Sequence, residues 1–181
     1  MKRKLGWMLI VSAAIVVMAT VYTRTVSATA ANGYVSTPLA KGTIGEFEVF
    51  NHEVLPATTN AGGHEDDRKV WMSMEKTKGV SDVYVQDNVW QPGGSTGWHS
   101  HPGHSLIIVM AGTVTDYEGD DPKCTPHVYT QGMTFLDEGG THSHIVRNEG
   151  TVVAETIAVQ TIPTGFSRRI EVPVAPGNCP F

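Results

Sequence analysis

Short runs of β-favouring residues, each closed by a turn former, recur along this chain and constrain its fold more than any other feature. Residues 70–74, 80–90, 106–111, 114–117, 127–129, 133–136, 144–147 and 152–160 form such runs, and nearly every one is bounded by Gly, Pro, Asp or Asn. Short strands at close spacing build an all-β sandwich or barrel. Helical periodicity is weak after residue 30, and no internal repeat or low-complexity tract interrupts the pattern. In the second run Val83 and Val85 share one face of a period-2 strand, with Tyr84 and Gln86 on the other. Ile108, Met110 and Phe135 are expected in the core.

The chain has 181 residues, enough for one ordinary core once an N-terminal segment is set aside. Residues 1–30 read as that segment. Lys2, Arg3 and Lys4 precede an uncharged stretch over 5–22, and Ala28-Thr29-Ala30 offers the small residues a signal peptidase needs. Cleavage is expected after Ala30 or Ala28; the apolar run is also just long enough to span a bilayer, so an uncleaved anchor is the alternative. In both cases the domain is exported, to the periplasm, the cell surface or the exterior, and membrane contact is confined to this segment. Residues 31–41 are small, polar and aperiodic, and read as a leader. The domain proper is expected over 42–171, with a first strand over 43–54 and a loop over 60–67, followed by an irregular tail at 172–181.

Charge narrows the partners. All eighteen Asp and Glu follow residue 30, while four of the thirteen Lys and Arg precede it, so the exported part carries a formal charge of −9. With no basic run, it offers a phosphate backbone nothing to pair with, and nucleic acid is excluded as a partner. Cys124 and Cys179 are the two cysteines, and an oxidising compartment permits them to pair and tie the tail to the domain.

The histidines carry the chemistry. Of eight, His99, His101 and His104 fall within six positions, and His142 and His144 form a second pair about forty residues on. Residues i and i+2 of a strand project to one face, so each His-x-His can aim two imidazoles at a point, and two such strands side by side bring several ring nitrogens together. Neutral imidazole is the commonest protein metal ligand. His52, His64 and His127 have no such companions and are expected to face solvent or to be satisfied in the core. Trp98 is expected to pack, Asn148 to satisfy nearby backbone, and the acidic group Glu118, Asp120 and Asp121 to form a solvated loop.

Residues 93–112, with His99-Ser100-His101 and glycines at both ends, resemble the first motif of the cupin superfamily; Ser105 stands where that motif has a glutamate. Residues 132–148, ending in His144 and Asn148, resemble the second, with Glu138 in place of the usual proline and one extra residue between Gly140 and His144. The resemblance implies a jelly-roll β-barrel with one divalent transition metal inside it, held by His99, His101 and His144. Fe(II) comes first among the candidates, with Mn, Zn, Ni and Cu as the others. A serine hydroxyl is a poor ligand for a divalent ion, so the site reads as three histidines without the carboxylate. His142 and His104 are the candidates for a fourth ligand or a proton-transferring catalytic group. Members of the family often pair, so a homodimer is an expected state.

Two functions follow. A three-nitrogen site with open positions suits a non-haem metal dioxygenase acting on a small organic substrate. The replaced Glu and Pro suit instead a non-catalytic module that binds a small ligand or a metal.

Overall fold

Alternation of side chains along extended backbone decides which residues of this chain meet in its interior. The computed structural model describes residues 30–54 and 70–181. The expected export segment, its cleavage site, the loop at 60–67 and His64 lie outside the described residues, apart from Ala30. Twelve strands follow in order: β1 (Asn32–Ile44), β2 (Phe47–Val54), β3 (Val70–Thr77), β4 (Ser81–Ser95), β5 (His99–Ser100), β6 (Ser105–Ala111), β7 (Thr113–Glu118), β8 (His127–Thr130), β9 (Thr134–Asp137), β10 (His144–Arg147), β11 (Ala154–Pro163) and β12 (Ile170–Glu171). Among these residues no helix is long and apolar enough to cross a membrane.

Ten strands form one nearly closed sheet in the order β12-β5-β10-β4-β11-β6-β9, with β1 on β4 and β7 between β10 and β8. All pairings are antiparallel. Long β4 is the hinge of the roll. Most of its length pairs with β11 and β1, and its last residue, Ser95, reaches Arg147 of β10 on the opposite wall. This is the all-β barrel expected from the strand pattern, in the jelly-roll form that the cupin resemblance implies.

The core lies between the walls. Trp90, Ile107, Val109, Val114, Phe135, Val146, Ala154 and Ala158 form its main cluster, with Tyr34 and Tyr129 against it. A second cluster, Trp98, Tyr117 and Ile145, is covered by the tail through Val172, Ala175, Cys179 and Phe181. The Cys124–Cys179 disulfide closes that cover. Phe181 stacks edge-on to Tyr117 and lies 4.1 Å beneath the Arg147 guanidinium.

Several expectations are corrected. Residues 31–41 are no leader, because β1 runs through them and pairs with β4 over most of its length. The sequence shows no period there because β1 is an edge strand with both faces largely exposed, and Pro38, tolerated at an edge, coincides with a register shift. The single strand expected over 43–54 is two, broken at Gly45-Glu46, and β2 pairs with β3 in a separate ribbon. Ile108 and Met110 face outward, 44% and 45% exposed, while Ile107 and Val109 turn inward. On β4 the expected alternation holds: Gln86, Asn88 and Trp90 line the interior, on the face opposite Val83 and Val85.

A candidate metal centre in the barrel

The roll brings three histidines together. β10 pairs with β5 so that His144 lies opposite His99, and the chain leaving β5 carries His101 back toward the same point. One ring nitrogen from each of His99, His101 and His144 lies within 4.8 Å of the other two. The ring centroids are 4.8 Å (99 to 101), 4.5 Å (99 to 144) and 5.7 Å (101 to 144) apart, and all three residues are buried.

The outer nitrogens explain why the inner ones converge. Nδ1 of His99 donates to the Gly97 carbonyl at 2.9 Å, Nδ1 of His101 to the Arg168 carbonyl at 2.5 Å, and Nδ1 of His144 to Asp116 Oδ1 at 3.1 Å. A proton fixed on Nδ1 leaves the Nε2 lone pair of each ring for an ion, the arrangement that orients imidazole ligands in metal sites. Gln160 also reaches His101 Nδ1, at 2.8 Å through its nitrogen, while its Oε1 is buried without a partner. The same nitrogen donates to the Arg168 carbonyl at 3.2 Å, so Gln160 and His101 share that acceptor.

Nε2 of His144 is buried and has no hydrogen-bond partner. An orphaned buried nitrogen costs about 1–3 kcal/mol, and a cation held between the three rings would supply what is missing. Electrostatics agree. Burial drives His99 well below its usual pKa, with the facing His144 and His101 rings and Arg169 adding to the fall. Burial likewise lowers His101, against the pull of Asp137. Burial also disfavours the charged form of His144, but the hydrogen bond and charge of Asp116, with Asp137 and Glu118 beyond, outweigh it and raise the pKa to about 9. The acids behind the triad therefore favour positive charge at its centre, and the residues fit a transition-metal ion.

The other two expected site histidines stand apart. His142 precedes β10, is exposed, and meets Asp120 at 3.2 Å; the strand that would have turned it beside His144 has not begun there. His104 ends the turn before β6, so Ser105 takes the inward position, and His104 faces Glu75 of β3 at 3.9 Å. His52 and His127 are exposed on strands, and Trp98 is 2% exposed in the second core cluster. Asn148 is bound up with backbone: its amide donates to the Trp90 and Val152 carbonyls and accepts from Gly150 N–H. Of the acidic loop, Asp121 caps Lys123 and Thr125, and Glu118 is half buried with its pKa raised to about 7 by burial and by Asp116.

Sequence reasoning missed Asp137, Asp116, Gln160 and the pair Arg168–Arg169. Asp137 is the inward residue two places after Phe135 on β9, so a carboxylate sharing a face with a core aromatic was its signal. The three histidines face a cavity of about 650 Å³, counting the part open to solvent. Ile107, Phe135, Val146 and Ala158 supply its apolar wall, while Asn88, Thr156 and Gln160 supply neutral polar groups. Arg168 and Arg169 also line it; Arg168 pairs with Gln86, and Arg169 with Glu171 and the Thr96 carbonyl.

A jelly roll with a buried three-histidine centre opening on such a cavity defines the class. Residues 89–160 match the cupin domain model, and this stretch of the chain is a cupin domain. No curated protein matches the chain. Solved structures similar to it include a predicted oxalate decarboxylase from Thermotoga maritima, 19% identical over 47% of this chain and 83% of that one, TM-score 0.38. An RmlC-like cupin family protein from Methanocaldococcus jannaschii with a double-stranded β-helix fold is 19% identical over 43% and 68%, TM-score 0.39. Oxalate oxidase is 22% identical over 45% and 46%, TM-score 0.39. These likenesses are too distant to lend anything to the choice of reaction.

Proposed function

We propose that the barrel holds one divalent transition metal on the Nε2 atoms of His99, His101 and His144, with Fe(II) the leading candidate, and acts as a dioxygenase on a small organic substrate. The observation that carries this reading is the triad itself: three buried rings, each anchored through Nδ1, around a point that faces the cavity. When bound, iron would supply Lewis-acid polarisation and one-electron chemistry toward O2. The chain's own residues do the rest. Asp116 and the Arg168 and Gly97 carbonyls hold the ring tautomers, the apolar wall excludes water, and Asn88, Thr156 and Gln160 offer hydrogen bonds that orient a polar substrate. The disulfide suits an exported protein.

Metal analysis of protein purified without an affinity tag, beside His99→Ala and His144→Ala, tests the centre. About one equivalent of metal, lost in both variants, is expected. Oxygen consumption after Fe(II) loading, across diketones, thiols, catechols and flavonols, then tests the reaction. Metal without oxygen uptake on any of these would favour the second reading, a non-catalytic binding module.

A further inference from the structure

We propose that Asp137 is the fourth protein ligand of this centre, a carboxylate delivered from β9; the assignment rests on the three-histidine reading above. β6 and β9 pair so that Ser105 and Asp137 are direct cross-strand partners. Both point inward and both are buried, at 4% and 6% exposed. The two carboxylate oxygens are used differently. Oδ1 accepts from Gly139 N–H at 2.9 Å, which fixes the group's orientation. Oδ2 accepts from Ser105 Oγ at a long 3.3 Å and otherwise faces the triad, 3.5 Å from His101 Nε2 and 4.0 Å from His144 Nε2.

Those separations are those of neighbouring ligands on one ion before it draws them in. With metal–ligand bonds of about 2.1 Å, adjacent donors sit roughly 3.0–3.4 Å apart in octahedral or tetrahedral geometry. Oδ2 lies closer to two of the three donor rings, His101 and His144, than the 4.8 Å within which the imidazole donors lie of one another, and an ion at the triad would draw it in from that side. The small side chain at 105 is what admits it. A longer acid there would fill the space that Asp137 crosses and would set two carboxylates against each other, whereas the serine hydroxyl donates to the one present. A divalent ion held by three neutral imidazoles and this carboxylate keeps one net positive charge instead of two. A buried acid among histidines can instead be a plain ion-pair partner, so the test must read coordination.

Co(II) serves as the probe, followed by its visible spectrum and by competition with a chromophoric chelator. The parent is expected to bind one equivalent. Asp137→Asn keeps the shape and the acceptor for Gly139, and it should weaken Co(II) by at least about tenfold and change the ligand-field bands. The exchange Ser105→Glu with Asp137→Ser returns a carboxylate from the opposite strand, and it should recover affinity that Asp137→Ser alone loses. Circular dichroism confirms the fold of each variant. An Asp137→Asn protein that binds Co(II) within twofold of the parent, with an unchanged spectrum, overturns the assignment and leaves the triad standing. If Asp137→Asn fails to fold, failure of the exchange to restore affinity overturns it in the same way. A folded parent that takes up no Co(II) overturns the triad, and this assignment with it.

Discussion

Replacing Cys124 and Cys179 together by serine removes the covalent link between the loop after β7 and the end of the chain. The bridge joins residues 55 apart. In the chain-entropy account a closed loop of that length restricts the unfolded ensemble by about 14 cal/mol/K, which is about 4 kcal/mol at 25 °C. For a domain of this size that is a melting temperature lower by roughly 10 °C. The tail keeps its other attachments: Val172, Ala175 and Phe181 still pack on Trp98, Tyr117 and Ile145, and Asn178 still donates to the Glu118 and Asp121 carbonyls. The loss should therefore appear mainly in the unfolded state. Urea titration followed by tryptophan fluorescence measures it, because Trp98 lies beneath the tail. A lower midpoint and a steeper slope are expected, since the uncrosslinked chain exposes more surface on unfolding. A loss under about 1 kcal/mol with an unchanged slope would refute the entropic argument and assign the tail's hold to packing alone.

Four further outcomes follow from the structure. Metal at a hundred times its dissociation constant should raise the stability of the parent by about 2.7 kcal/mol and do nothing for His99→Ala, a difference scanning calorimetry reads directly. Asn148→Ala strands two carbonyls and one N–H that its buried amide satisfies, and should cost about 3 kcal/mol in chemical denaturation. The Thr125 hydroxyl, with the N–H groups of Lys123 and Thr125, holds Asp121 down to about 2 from 3.8, so its contribution is complete above pH 4 and is lost as pH falls toward 2; in Asp121→Asn the melting temperature should depend less on pH across that window. Gly139→Ala places a methyl 2.3 Å from the Gly103 carbonyl at a φ of +70°, and should lower the melting temperature and weaken Co(II) binding together, because this backbone contact seats Asp137 beside the turn that bears His101.

How far the sequence could be read depended on whether a residue's neighbours betray its facing. His99 and His101 share a spacing that any strand would turn to one side, and His144 sits at the first residue of β10, so the pattern alone points three rings at one region. His142 and His104 follow the same spacing rules on paper but turn elsewhere, to Asp120 and Glu75, while His101, itself one residue past β5, is held at the triad by its Nδ1 bond to the Arg168 carbonyl and not by alternation. The stretch from Leu106 to Met110 is apolar on both faces, so no period distinguishes Ile107 and Val109, which fill the core, from Ile108 and Met110, which do not. β1 is the reverse case: exposed on both faces and interrupted at Pro38, it shows no period at all, and only its hydrogen bonds to β4 reveal it as a strand.

The acid beside the triad was hidden for another reason. Ser105 and Asp137 are thirty-two residues apart, and nothing local to either marks the other as its partner. What joins them is register. Because side chains alternate, a slip of β9 by one residue against β6 would turn Asp137 to solvent and Leu136 to the cavity, and the Phe135 that fills the core would leave it. Burial of Phe135 therefore holds the carboxylate at the histidines: the hydrophobic term that closes the roll also sets the charge at its centre. A cavity wall of this kind couples stability to coordination, and substitutions at Phe135 should disturb both even though its ring offers an ion no donor.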